Sequence, residues 1–239
     1  MSDSTLSTTT STSSVSDWAT EIAGQAEAPS KHRPRRGLAA MGAAMVGGPL
    51  AMTAWFLVEP SVLPREDADV FLASVATSPD RYLIGTVFMA MAAALTVLSA
   101  FGFARLLGDR LPRLGLVVGV LMFLSGIGLA AQVGFRAVVW SLVGEGTVPA
   151  SSVESFHAFQ TGGLFDILVA PGLVFGGLAT LLTVGALLRT RLVSWWVPVA
   201  MLAGMVLASG EFPDPVTVGG AALGAAANLV LARTLLARG

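Results

Sequence analysis

The sequence predicts an all-α, polytopic membrane protein: a bundle of six transmembrane helices with short outer-surface helices. Three observations carry this. Six long apolar stretches alternate with polar loops. Of the 239 residues, 54% are hydrophobic and 12% charged, with a mean hydropathy of +0.75. An ordinary soluble domain is about 25% charged. A soluble core of this size could not hide so much apolar surface, whereas side chains facing lipid carry no burial requirement. Finally, almost every basic residue falls in alternate loops. Lys31, Arg33, Arg35 and Arg36 come first, then Arg105, Arg110 and Arg113, then Arg189 and Arg191, then Arg233 and Arg238. The loops between them hold mainly acids: Glu59, Glu66, Asp67, Asp69 and Asp80, then Glu145 and Glu154, then Glu211 and Asp214. Basic loops mark the cytoplasmic side, so both termini are expected there.

Composition narrows the function classes. The formal net charge of -1 gives no general attraction to nucleic acid. There is no cysteine, which removes disulfides, thiolate nucleophiles, iron–sulfur clusters and cysteine zinc sites. Two histidines, His32 and His157, cannot supply the paired axial ligands of several haems. Neither a cofactor nor a metal is therefore expected. Arginine supplies every basic residue but Lys31, and Ala and Gly abound. That bias suits a GC-rich bacterial genome, and the expected location is the bacterial cytoplasmic (inner) membrane. The first apolar run follows a long polar tail and is too long for a signal-peptide core, so the first span reads as an uncleaved insertion signal.

Residues 1–36 read as a disordered, Ser/Thr-rich cytoplasmic tail with too few apolar groups to offset ordering entropy. It ends in a basic anchor beside the membrane, Lys31-His32-Arg33-Pro34-Arg35-Arg36. Residues 37–239 hold the transmembrane domain. Span 1 is expected over about Gly37 to Val58, with Trp55 at its outer end; twenty-odd residues cross a core of about 30 Å. Arg65 to Thr77 reads as a short surface helix with Val70, Phe71 and Val75 turned down. Ser78 then caps span 2, with Pro79 at its first position. Span 2 (about Arg81–Leu107) and span 3 (about Leu114–Val143) flank a short turn and should be antiparallel neighbours. Ser151-Ser152-Val153-Glu154 has a capping-box pattern, so a helix should start there and lead through Gly162-Gly163 into span 4, which ends near Leu188. Span 5 is short, about Ser194 to Ser209, with Trp195 and Trp196 at its inner edge and Pro198 in its first turn. Span 6 covers about Val216 to Leu236. Every tryptophan except Trp18 thus falls at an expected interface, as aromatic belts require. Gly115 with Gly119, Gly172 with Gly176, and Gly220 with Gly224 have the spacing that lets helix backbones approach in lipid. Packing within one bundle is the simpler use of these pairs.

Charged and strongly polar groups within apolar helices are costly, so they point to candidate sites. Arg136 lies about 22 residues above the inner end of span 3, roughly 33 Å up the helix. Gln132, four residues earlier, shares its face. Asp166 opens span 4 about one turn before Pro171, which cannot donate to the carbonyl of Ile167 and so kinks the helix. His157 and Gln160 lie just above. One reading joins these into an outward-facing polar pocket organised by an Arg136–Asp166 ion pair. The other leaves Arg136 snorkelling to the interface and Asp166 at a favourable helix N-terminus. Asn228 could bridge helices. Catalytic patterns are missing: no HExxH, no Ser–His pairing, no GxxxxGK[ST] loop, and no carboxylate in spans 2 and 6 for a proton relay.

Several segments follow one another in a set order along the spans. These are the acidic Glu66-Asp67-Ala68-Asp69, the span entered by Pro79-Asp80-Arg81-Tyr82-Leu83-Ile84-Gly85, Phe135-Arg136-Ala137, and Gly163-Leu164-Phe165-Asp166. In this the chain resembles a bacterial family of six-helix integral membrane proteins labelled only as a domain of unknown function. The resemblance covers about Gly37 to Gly210 and implies six helices, an inner-membrane location and no assigned activity. The Ser/Thr tail departs from that plan. The expectation is a non-enzymatic protein in the lipid bilayer that binds a lipid-like ligand or a membrane-protein partner through its outer half. The alternative is a small transporter or channel component with a polar pocket around Arg136 and Asp166. A polar cavity reaching both faces would favour transport, a lateral groove open to lipid would favour lipid binding, and a dry bundle a structural role.

Overall fold

A computed structural model describes residues 33–58, 67–143, 147–208 and 214–238. Among these the chain is all-α, with eight helices: α1 (Arg33–Val58), α2 (Ala68–Thr77), α3 (Pro79–Gly108), α4 (Pro112–Val143), α5 (Ala150–Thr161), α6 (Leu164–Thr190), α7 (Trp196–Leu207) and α8 (Asp214–Leu236). Residues 37–239 form one compact unit. The expectations for the tail before Arg33, and for Glu59, Glu66, Glu145 and Glu211, fall outside the described residues.

Among the described residues, five helices are long and apolar enough to cross a membrane: Arg36–Val58, Pro79–Gly108, Pro112–Val143, Asp166–Thr190 and Pro215–Leu236. Their outward faces carry Leu57, Leu116, Ile167 and Leu173, all exposed. Side chains of this kind suit a hydrocarbon solvent. The expected fifth span differs. Its helix, α7, has 12 residues, about 18 Å of rise against a hydrocarbon core of about 30 Å. Pro198 is in its first turn, as expected.

Small residues set the helix spacing. Going down α3, Arg81 Nη2 donates to the Leu57 carbonyl of α1, Gly48 lies against Thr96, and Gly102 lies under Met45. These contacts make α1 and α3 antiparallel neighbours. The α3–α4 hairpin is equally regular, pairing Gly126 with Val97, Gly119 with Ala104, and Gly115 with Gly108. The short turn at 109–111 holds α3 and α4 side by side as antiparallel neighbours. Gly172 and Gly176 meet α4 at Gly128 and Ser125, and Gly204 of α7 packs on Gly220 and Gly224 of α8. All three small-residue pairs therefore serve packing inside one bundle. Among the described residues Asn228 bonds within its own helix: its amide donates to the Gly224 carbonyl at 2.9 Å.

Two apolar clusters occupy opposite ends of the bundle. At the basic end, Leu38 from the start of α1 joins Leu106 and Leu107 from the end of α3. Leu187 of α6, Val197 of α7, and Leu231 and Leu235 of α8 complete that cluster. At the other end, Phe71, Leu72 and Val75 of α2 join Tyr82 of α3, Phe135 and Val139 of α4, and Phe156 of α5. The two short helices thus cap the end away from the basic loops.

Three local expectations need correction. In α2, Val70 is half exposed while Ala68, Phe71, Leu72 and Val75 are buried. A period of 3.6 puts these four on one face and turns Val70 about 100° away from Phe71. The capping box of Ser151 is not used, because α5 begins at Ala150 behind Pro149, placing Ser151 inside the helix. Ser78 occupies the cap position of α3 with Pro79 next, but its side chain makes no capping bond. The break between α5 and α6 falls at Gly163, whose φ of +74° is left-handed backbone that suits glycine.

Candidate functional site

Arg136 sits on the last third of α4 and is 4% exposed. It does not snorkel to the surface. Its side chain crosses to α3, where Nε donates to Thr86 Oγ1 at 3.0 Å and Nη2 donates to the Tyr82 carbonyl at 3.2 Å. Thr86 Oγ1 donates to the same carbonyl at 2.8 Å, which closes a small ring of hydrogen bonds. The guanidinium carbon lies 4.0 Å from the centre of the Tyr82 ring and 5.8 Å from that of Trp55. A desolvated cation over an aromatic face gains about 2 kcal/mol. The node therefore ties α4 to α3, with Trp55 of α1 alongside. Tyr82 and Thr86 are four residues apart on one helix face, which is why a single arginine reaches both.

Stacked rings roof this node. Phe156 of α5 stacks on Phe71 of α2 at 5.3 Å and on Phe135 of α4 at 5.9 Å; Phe159 stacks on Phe135 at 5.3 Å. Phe71 meets Tyr82 edge-on at 6.4 Å. Buried aromatic surface of this kind holds the short helices down although neither spans the bilayer.

The proposed ion pair is not formed. Asp166 lies in the first turn of α6 and is exposed, and among the described residues no ion pair joins it to Arg136. The physical reason is direction. Helices α4 and α6 do pack together, but Gln132 and Ser125 occupy the face of α4 that meets α6. Gln132 Nε2 donates to the Val169 carbonyl at 3.2 Å, and Ser125 Oγ donates to the Gly172 carbonyl at 2.9 Å. These bonds flank Pro171 and bind the disturbed stretch of α6 to its neighbour. His157 is exposed on α5 and Gln160 half-buried on the same helix. The structure thus separates the sequence candidates: Arg136 is bonded to α3, Gln132 is bonded to α6, and Asp166 and His157 are exposed. Tyr82 and Thr86 were the partners sequence reasoning did not pair with Arg136. A threonine one turn after the chain's single tyrosine was the available signal.

Below the node, α3 and α4 leave a lateral recess. A cavity of about 260 Å³ is lined by Ala90, Ala93, Ala94 and Val97 of α3 and by Gly126, Ile127, Ala130 and Val133 of α4. Ala90, Ala94, Ile127 and Ala130 are exposed on the bundle's outer face, so the recess opens sideways. It straddles the middle of both helices, and Thr86 and Arg136 lie one turn beyond it. Every lining side chain is apolar. The space is smaller than a drug-sized pocket of about 300–1,000 Å³. Among the described residues, no cluster of His, Cys, Asp and Glu could hold a metal ion.

A family model described as a domain of unknown function, DUF4386, matches residues 40–239. The match extends through α8, beyond the Gly210 limit expected from the sequence. No curated protein and no solved structure matches the chain.

Proposed function

Because the chain belongs to this family of unknown function, we propose from its own geometry that it is a non-enzymatic lipid-binding protein of the bacterial cytoplasmic membrane. It holds an acyl chain of a lipid-like ligand in the α3–α4 groove, at the middle of the two helices. The observation that carries this reading is the sideways-opening apolar recess, set at bilayer depth between two helices that are otherwise in contact along their length. Alanine and glycine on both walls remove side-chain bulk where a neighbouring hydrocarbon chain would enter. The Arg136 node holds the upper lip of the groove at fixed width. The transport alternative rested on a pocket between Arg136 and Asp166, and the exposure of Asp166 takes away its support.

A phospholipid with a photoactivatable acyl chain tests the reading. In nanodiscs, labelling should concentrate on the α3 and α4 peptides. Ala94→Leu with Ala130→Leu should fill the recess and cut that labelling severalfold while the melting temperature stays close to wild type. Labelling spread evenly over all lipid-facing helices, or unchanged by the filled recess, would overturn it.

The proposal includes six crossings with both termini cytoplasmic. In its support, the start of α1 and the end of α8 belong to one apolar cluster at the basic end. An even number of crossings, with the short α7 supplying the sixth, fits that placement. A reporter fused after Gly239 should read cytoplasmic and one within residues 147–149 periplasmic. A periplasmic signal at the C-terminus would refute the six-span topology without touching the groove.

A further inference from the structure

At the inner end, two turns come together. Arg110 Nη1 donates to the Thr190 carbonyl at 2.8 Å, linking the α3–α4 turn to the end of α6. Leu111, Leu114, Leu192 and Val193 from the same two segments pack on the inner apolar cluster, so the corner has a built floor. Above that floor Arg110, Arg113, Arg189 and Arg191 are all exposed, with Asp109 the only acid in the two segments. Trp195, 72% exposed, stands beside them at the start of α7.

Arg191 adds an independent observation. It caps α6 with φ 50° and ψ 38°, left-handed backbone that a side chain rarely adopts. Glycine is the usual residue at such a helix end. An arginine kept in a strained position points to a use for its side chain.

We propose that this corner is a seat for the phosphate headgroup of an anionic phospholipid in the adjacent leaflet. The charge is complementary, and guanidinium groups recognise phosphate with paired hydrogen bonds. A tryptophan at the end of an apolar helix sets the corner at headgroup depth. Arg110 is the positioning residue that holds the two turns together, while Arg113, Arg189 and Arg191 face the lipid. This seat lies at the α3–α4 turn, away from the mid-helix acyl-chain groove, and does not depend on it.

Two charge-matched variants test the proposal in mixed micelles carrying phosphatidylglycerol or phosphatidylcholine, with lipid retention read by native mass spectrometry. One is Arg189→Gln with Arg191→Gly; the other is Arg233→Gln with Arg238→Gln. Glycine suits the left-handed cap, so the first variant should fold with an unchanged or higher melting temperature. Wild type should retain phosphatidylglycerol preferentially. The first variant should lose roughly tenfold of that preference, from the effect of two arginines near an anionic surface, and the second should keep most of it. No preference in wild type, or equal losses in both variants, would overturn the seat. So would an equal thermal stabilisation by inorganic phosphate at matched concentration, which would assign the corner to a soluble anion.

Discussion

Gly128→Val should abolish the stable, monodisperse protein in detergent. A Cβ on Gly128 would collide with the backbone nitrogen of Gly172, with its Cα at 2.6 Å and with the carbonyl carbon of Pro171 at 3.0 Å. All three are backbone atoms, so no rotamer change can make room. The helices must separate, and the bonds from Ser125 to Gly172 and from Gln132 to Val169 are lost as they do. Overpacking alone costs about 1–3 kcal/mol, and each interhelical bond in lipid adds about 0.6 kcal/mol. A loss of about 3 kcal/mol or more is a large part of a total stability of about 5–15 kcal/mol. Gly134, on the same helix, has open space around its Cβ. Gly134→Val is therefore the control and should melt with wild type. Size-exclusion profiles and thermal melts of the two variants measure the contrast. Equal behaviour would mean that α4 and α6 do not cross at Gly128.

Replacing Arg136 should have the second largest effect. Among its contacts with the described residues, Arg136→Ala removes two donated hydrogen bonds and a ring contact at 4.0 Å. Bonds to a charged donor contribute about 1.5–3 kcal/mol. Relief from burying a cation offsets part of that loss. A net destabilisation of about 2 kcal/mol is expected. Arg136→Lys should recover no more than half, because a single ammonium cannot serve Thr86 and Tyr82 together while lying flat on a ring. Double-mutant cycles separate the possible partners. Arg136→Ala with Thr86→Val should show a coupling of about 1 kcal/mol, whereas Arg136→Ala with Asp166→Ala should be additive. Strong coupling to Asp166 and none to Thr86 would reverse the assignment.

The bundle was largely legible in the chain because its signals are one-dimensional. Apolar run length located α3 over Arg81–Leu107 against an observed Pro79–Gly108, and the short turn before Leu114 made α4 its neighbour. The small-residue pairs were read correctly for the same reason, since a spacing of four on a helix is a spacing on one face. The length of α7 was not legible, because hydropathy continues into Ala208 where the helix has already ended. The Arg136–Asp166 pairing failed on geometry. Four residues rotate a helix by about 400°, so Gln132 and Arg136 share a broad face yet point about 40° apart. That difference, with the arginine's length, sends one to α6 and the other to α3. The groove was beyond reach altogether. Ala90, Ala94, Gly126 and Ala130 are unremarkable in a chain rich in such residues, and only the register of α3 against α4 makes them the walls of a single recess.

The 12 residues of α7 stand next to membrane helices of 22 to 32 residues. Val199, Leu202 and Val206 are exposed along α7. If α7 crosses, as the six-span reading proposes, its 12 residues rise about 12 Å less than the hydrocarbon thickness of an average bilayer. Lipids beside it would tilt or compress to match, at a fraction of a kcal/mol per ångström. On that reading the bilayer would be dented on one side, and the protein would favour thinner membranes independent of any ligand it holds.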